Sequence, residues 1–318
     1  MLSRTAENLF WSARYIERAD SLARLLEVGY RMSLIPNTET GYVNEWESIL
    51  ETSGIKSDYL EKNKNITREG IIYFLLSDSK NPSSIKNCIR NARENIRMVR
   101  TAVTLEVWNA VNSSFHDLET NIKHTKNILK ELPEIIEWIK KQVNLIRGTI
   151  INTQLINDGY DFLILGTYFE RADFTARIIN VKYFILLPSI NYVGSDVDNF
   201  QWSMMLRSIS SYRAFKWAYG EEGINYIKII DFLILNMTCP RSLMFSIEKI
   251  KHHLERLTKF YKQSSSAKSK IKIMYKKFRN LDADKVSDLG LHEFLKTFIK
   301  DIDLIYRELE KKYFFGLE

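Results

Sequence analysis

Residues 15–24 read Tyr15-Ile16-Glu17-Arg18-Ala19-Asp20-Ser21-Leu22-Ala23-Arg24, and the pattern returns as Tyr168-Phe169-Glu170-Arg171-Ala172-Asp173-Phe174-Thr175-Ala176-Arg177. Seven of the ten positions are identical at a constant offset of 153. A Tyr, a Glu, two Arg and an Asp kept in order point to an internal duplication. The match extends outward. Ser33-Leu34-Ile35-Pro36 is answered by Ile185-Leu186-Leu187-Pro188, and Trp46 and Leu50 by Trp202 and Leu206 at an offset of 156. The apolar run 71–76 is answered by 229–234, and Pro82 by Pro240, at an offset of 158. The offset grows in chain order, as small loop insertions in one of two tandem copies would make it. This predicts one integrated domain of two repeats, about residues 1–152 and 153–261, followed by a basic and amphipathic extension over 262–318.

The periodicity is helical throughout, and the expected class is all-α, a helical bundle. A first helix is expected from an N-cap at Ser3 to about Leu34, stopped by Pro36. A short helix carries Trp46 and Leu50, and the charged stretch from Thr52 to Arg68 reads as a surface loop. Asn81 is placed as an N-cap before Pro82, opening a long helix to about Val107 that ends over Trp108–Asn112. Further helices are expected over 115–132, 133–157 and 159–187. The second copy repeats this plan to about Tyr261. A serine loop at 264–266 leads to a lysine-rich helix, and a last amphipathic helix covers about 286–313.

At 100° per residue, Glu17, Asp20 and Arg24 fall within about 60° of one another on a helix. Arg14 and Arg18 form a second polar side, and apolar residues take most of the remaining circumference. The twin strip is Glu170, Asp173 and Arg177, beside Arg171, with Gly166 in place of Ala13. A helix apolar nearly all round is normally buried, so these charges should lie inside and must be paired or bound. Three readings follow. The motif helices exchange Glu–Arg and Asp–Arg pairs across a pseudo-twofold axis; or the strip lines a cleft for a polar ligand or peptide end; or facing carboxylates hold Mg²⁺ or Mn²⁺. The nearby arginines and the missing Glu-x-x-His pattern argue against the metal. No metal, cofactor or catalytic residue is assigned. The site candidates are Glu17, Arg18, Asp20, Arg24, Glu170, Arg171, Asp173 and Arg177.

The net charge of +7 equals the seven basic residues between Lys262 and Arg279, so the rest of the chain is close to neutral. A single lysine-rich face, with Ile271, Ile273, Met274 and Phe278 beside it, reads as a docked amphipathic helix and not as a nucleic-acid surface. Cys88 and Cys239 form no disulfide framework, which fits a reducing, cytoplasmic setting. Neither a signal peptide nor a membrane span is expected. P-loop, G-x-G-x-x-G, G-x-S-x-G and H-E-x-x-H motifs are absent from the sequence. His252 and His253 are adjacent and point about 100° apart on a helix, a poor arrangement for sharing a metal.

Leu2-Ser3-Arg4, Ala6-Glu7, Trp11, Arg14-Tyr15 and Glu17-Arg18 resemble the opening of the bacterial alpha-E family, a helical domain named for its Glu-Arg motif. Asn81-Pro82-Ser83-Ser84, Arg93-Glu94-Asn95, Trp108, Asn112, and Gly166 with Glu170-Arg171-Ala172-Asp173 extend the resemblance to about Leu257. The resemblance implies a neighbourhood of circularly permuted ATP-grasp ligases, transglutaminase-like proteins and sometimes a proteasome-like peptidase. From it comes the expectation of a non-catalytic accessory or binding protein working with an ATP-grasp peptide ligase. The alternative is an enzyme whose carboxylate–arginine cleft acts on a modified or ligated peptide.

Overall fold

The computed structural model describes residues 1–34, 41–184, 196–220 and 223–314. These form fifteen α-helices and no strand. The central pair is α1 (Ser3–Met32) and α8 (Asp158–Phe184), which carry the two motifs and pack along each other more extensively than any other two helices. α1 is flanked by α5 (Ile85–Met98) and α7 (Ile128–Thr153), and α8 by α12 (Leu243–Tyr261) and α15 (Leu291–Tyr313). The shorter helices α2 (Gly41–Ser53), α3 (Lys56–Lys62), α4 (Arg68–Leu76) and α6 (Leu105–His124) complete the first half. In the second half they are α9 (Asp196–Ser208), α10 (Tyr212–Tyr219), α11 (Tyr226–Ile230), α13 (Ser266–Arg279) and α14 (Ala283–Asp288).

α1 is buried on nearly every face from Ala6 to Met32, as its all-round apolar character demands. Trp46 on α2 and Trp202 on α9 are both buried, while Tyr15 and Tyr168 are half-buried. α15 closes over the central pair: Tyr306 stacks on Phe10 at 5.6 Å and meets Phe169 edge-on at 6.2 Å. Among the described residues no helix is long and apolar enough to cross a membrane.

Several expected boundaries shift. Leu2, not Ser3, is the N-cap of α1, and that helix ends at Met32; the matched Ile35-Pro36 and Ile185–Pro188 lie outside the described residues. The stretch from Thr52 to Arg68 is not a loop, because α3 forms within it. Tyr59 is buried there, edge-on to Phe74 at 5.2 Å, and anchors an otherwise charged segment. Asn81 caps no helix; its side-chain oxygen accepts from Ser83 N at 3.0 Å in an Asx turn. Ser84 is the cap of α5, and Ser242 caps α12 in the same way.

The long helix expected to Val107 stops at Met98, and a turn of 3₁₀ helix follows over Arg100–Ala102. Gln154, more than fifty residues away in sequence, fixes this break by donating to Ala102 O at 2.9 Å. Trp108 and Asn112 therefore sit inside α6. α6 ends at His124, and Asn127 caps α7, which carries Pro133 within it. The final helix is two helices, parted by Gly290 at φ 78°. Ile273 points outward from α13, and Ile271, Met274 and Phe278 alone of that group are buried.

Candidate functional site

Adjacent helix residues do not face each other, so a Glu-Arg dipeptide cannot pair internally and each member must find a partner elsewhere. The two motifs partner each other. Arg171 donates to both oxygens of Glu17, Nε to Oε1 at 2.8 Å and Nη2 to Oε2 at 3.0 Å. Arg18 returns the arrangement on Glu170, Nε to Oε1 at 2.6 Å and Nη2 to Oε2 at 3.1 Å. Both are bidentate guanidinium–carboxylate forks, the strong form of the interaction. Arg14 adds a third bond to Glu170 at 2.8 Å, its guanidinium lying 4.8 Å over the rings of Trp11 and Tyr306.

The close approach that permits this exchange is set one turn earlier. A Cβ on Gly166 would stand 2.2 Å from the carbonyl oxygen of Phe10 and 3.1 Å from the Cβ of Ala13. α8 thus lays its bare backbone on α1 where glycine meets alanine, and Glu17 and Glu170 each follow four residues later.

Around Glu17 the network is richer than the sequence suggests. Arg147 of α7 bonds Glu17 and reaches Asp20 Oδ2 at 3.3 Å. Arg241, in the turn before α12, reaches Glu17 at 3.3 Å and Asp20 at 2.7 Å. Arg24 holds Asp20 at 2.9 Å and continues to Ser208 O and Ser210 Oγ, both at 2.9 Å. Two carboxylates, Glu17 and Asp20, thus meet four guanidiniums, those of Arg24, Arg147, Arg171 and Arg241. Both carboxylates are 0% exposed. Asp173 and Arg177 lie apart from this centre, pairing with each other at 2.8 Å with both side chains partly exposed.

Burial by itself would raise these carboxyl pKa values, but the guanidiniums outweigh it. Arg147, Arg171 and Arg241 hold Glu17 at about 2, and Arg18 and Arg14 hold Glu170 at about 2. Asp20, under Arg241, Arg24 and Arg147, lies well below the usual carboxylate range. Burial presses Arg241 down to about 10, with Arg24 and Arg171 adding repulsion against the pull of Asp20 and Glu17. For Arg241 burial and the neighbouring guanidiniums outweigh the pull of its two carboxylates. Arg241→Gln should therefore lower the melting temperature by less than half as much as Glu17→Gln, read by parallel thermal scans, because it removes surplus charge while Glu17→Gln removes scarce charge.

Both oxygens of Glu17 and of Glu170 and Oδ2 of Asp20 are taken by guanidiniums, while Asp20 Oδ1 is buried with no hydrogen-bond partner among the described residues. Among the described residues no group of three or more His, Cys, Asp or Glu is placed to hold a metal. His253 instead meets Asp161 at 2.7 Å, beside Arg256 at 2.7 Å. Cys88 is buried close to Arg18 and Glu170, and burial pushes its thiol up to about 12, which suits a core residue and not a nucleophile.

An all-helical body locked by reciprocal Glu-Arg dipeptides from two central helices defines the class of this protein. The model of the Alpha-E family, a predicted alpha-helical domain with a conserved ER motif, matches residues 1–314, and the chain belongs to that family. Of the three Glu-Arg dipeptides in the chain, Glu17-Arg18 and Glu170-Arg171 are the two that recur within the ten-residue motif, and Glu255-Arg256 lies outside it. No curated protein and no solved structure matches the chain.

Proposed function

We propose that the chain is a non-catalytic accessory or binding protein that works in the cytoplasm with an ATP-grasp peptide ligase, in making, tagging or processing a peptide. A transglutaminase-like protein is the second candidate partner. The observation that supports the non-catalytic half is the state of the central carboxylates. A general acid or base works best with a pKa near the operating pH, whereas Glu17 is held at about 2 by three guanidiniums and Glu170 at about 2 by two. An enzyme using either glutamate as its base would need the opposite environment. The ligase half rests on the neighbourhood that the family resemblance implies, and no residue role follows from it.

The same proposal takes the chain as one integrated domain of two repeats, about 1–152 and 153–261, with 262–318 as an extension. Its support is the reciprocity of the Glu17–Arg171 and Glu170–Arg18 forks and the matched caps Ser84 and Ser242.

Co-expression with the neighbouring ligase tests the role. A stable complex on size exclusion, with no turnover of a peptide by this chain alone, is the expected result. Failure of the two proteins to co-purify would reject it.

A further inference from the structure

A cavity of about 540 Å³, within the size range of small-molecule sites, opens where the C-terminus of α1 meets the α9–α10 corner. Its walls include Arg31, Arg207, Ser210, Tyr212, Arg213 and Trp217, with Lys216 completing them and no acidic side chain among the described lining residues. We propose that this cavity binds a phosphorylated ligand with a planar ring, chemically a nucleotide, whose phosphates lie on the arginines and whose ring lies on Trp217.

Arg207 and Arg213 have no carboxylate partner among the described residues, unlike the arginines of the core. Arg207 lies 4.0 Å over the Tyr212 ring. Stacking occupies the face of a guanidinium and leaves the N–H edge free for an oxyanion. Arg31 is held in place by Glu27 at 2.7 Å, a carboxylate that also takes Lys140 at 3.0 Å. Arg207 and Arg213, sharing one concavity without a carboxylate partner among the described residues, repel each other until an anion arrives, and arginine forks match phosphate geometry.

The corner itself is shaped for the task. Ser210 adopts φ 57°, a left-handed conformation uncommon for a residue with a Cβ. Its hydroxyl oxygen accepts from the buried Arg24, so its own hydrogen is left to donate. The eight-residue α10 starts at Tyr212 with no side-chain cap, which adds its positive end to the same wall. Trp217 is 79% exposed, a large aromatic face that a base or similar ring would cover. This inference goes beyond the accessory role and does not depend on it.

Calorimetric titration of the full chain at low salt with ADP, inorganic pyrophosphate and adenosine tests it. ADP should bind tightest, pyrophosphate about five-fold more weakly or beyond, the contribution of one stacked ring, and adenosine should give no measurable heat. Arg207→Gln and Arg213→Gln should each weaken ADP and pyrophosphate by about ten-fold. Trp217→Ala should bring ADP to the level of pyrophosphate without altering pyrophosphate. These side chains are exposed, so the unliganded melting temperatures should match the parent and report that the variants fold. Lys277→Gln, in a different cavity, controls for general attraction by a +7 chain. No binding of ADP and pyrophosphate, or losses in the arginine variants no larger than that of Lys277→Gln, would overturn the site. Equal affinity for ADP and pyrophosphate would overturn the ring-binding half.

Discussion

Glu17→Gln lowers the melting temperature by about 6–15 °C relative to the parent, the largest loss expected from a single isosteric change in this protein. The side chain keeps its shape and one acceptor oxygen, so packing is nearly unchanged and the difference is electrostatic. Arg171, Arg147 and Arg241 lose the charge they share, and Asp20 is left as the one carboxylate facing four guanidiniums. Removing one partner of a buried ion pair costs about 3–5 kcal/mol, and roughly 2–3 °C is lost per kcal/mol in a chain of this size. Glu170→Gln should cost somewhat less, since only two guanidiniums, those of Arg14 and Arg18, are stranded.

The acid limb provides a second readout. The folded-state pKa of Glu17 is depressed to about 2 from an ordinary value of 4.5. Its contribution to stability is therefore complete above about pH 4.5 and is lost as the pH falls towards 2. The gap between parent and Glu17→Gln melting temperatures should close over that window. A melting temperature unchanged or raised in Glu17→Gln at neutral pH would mean that the charges are kept at a cost to stability. The network would then be a site in its own right.

The parts of this network that could be read from the sequence are those the repeat displays twice. Glu17, Arg18, Glu170 and Arg171 stand out because each sits on a helix with almost no other reason to carry charge. Asp173 and Arg177 share that pattern yet settle at a partly exposed edge, since a helical strip extends beyond the contact it serves. Arg147 and Arg241 have no twin to flag them. Arg147 does leave a trace, occupying the buried stripe of α7 with Val143, Ile146 and Ile150, where an arginine needs a buried partner. Arg241 follows Pro240 in what reads as an ordinary helix start, and its twin position is Ser83.

Helix existence was legible from apolar period, and helix ends were less so, for physical reasons that differ by site. Between Met98 and Leu105 neither glycine nor proline marks the break; it is held from a distance by Gln154. At Asn81 and Ser84 two good capping residues lie three apart, and the tertiary bond from Asn81 Nδ2 to Phe74 O at 2.9 Å commits the first to the turn. Local propensity offers both solutions, and packing selects one.

Gly166→Ala is expected to cost about 3 kcal/mol, at the upper end for overpacking, and so to lower the melting temperature by roughly 6–9 °C. The new methyl would sit 2.2 Å from Phe10 O, a backbone atom in the middle of a buried helix. No rotamer change relieves that contact, so α1 and α8 must separate. Gly148, in α7, supplies the contrast, with nothing within 4 Å of its hypothetical Cβ. There Gly148→Ala should stabilise by about 0.5–1 kcal/mol through helix propensity and a less flexible unfolded chain. Separation at Gly166 also reaches the ion pairs, because Glu170 lies one turn along the same helix and its arginines stand on α1. A guanidinium–carboxylate fork tolerates little displacement, so the glycine and the glutamate should be energetically coupled. The losses from Gly166→Ala and Glu170→Gln, measured singly and together, should be less than additive by at least about 1 kcal/mol. Full additivity would mean that the helix crossing and the Glu-Arg exchange are independent features, and the glycine would then serve packing alone.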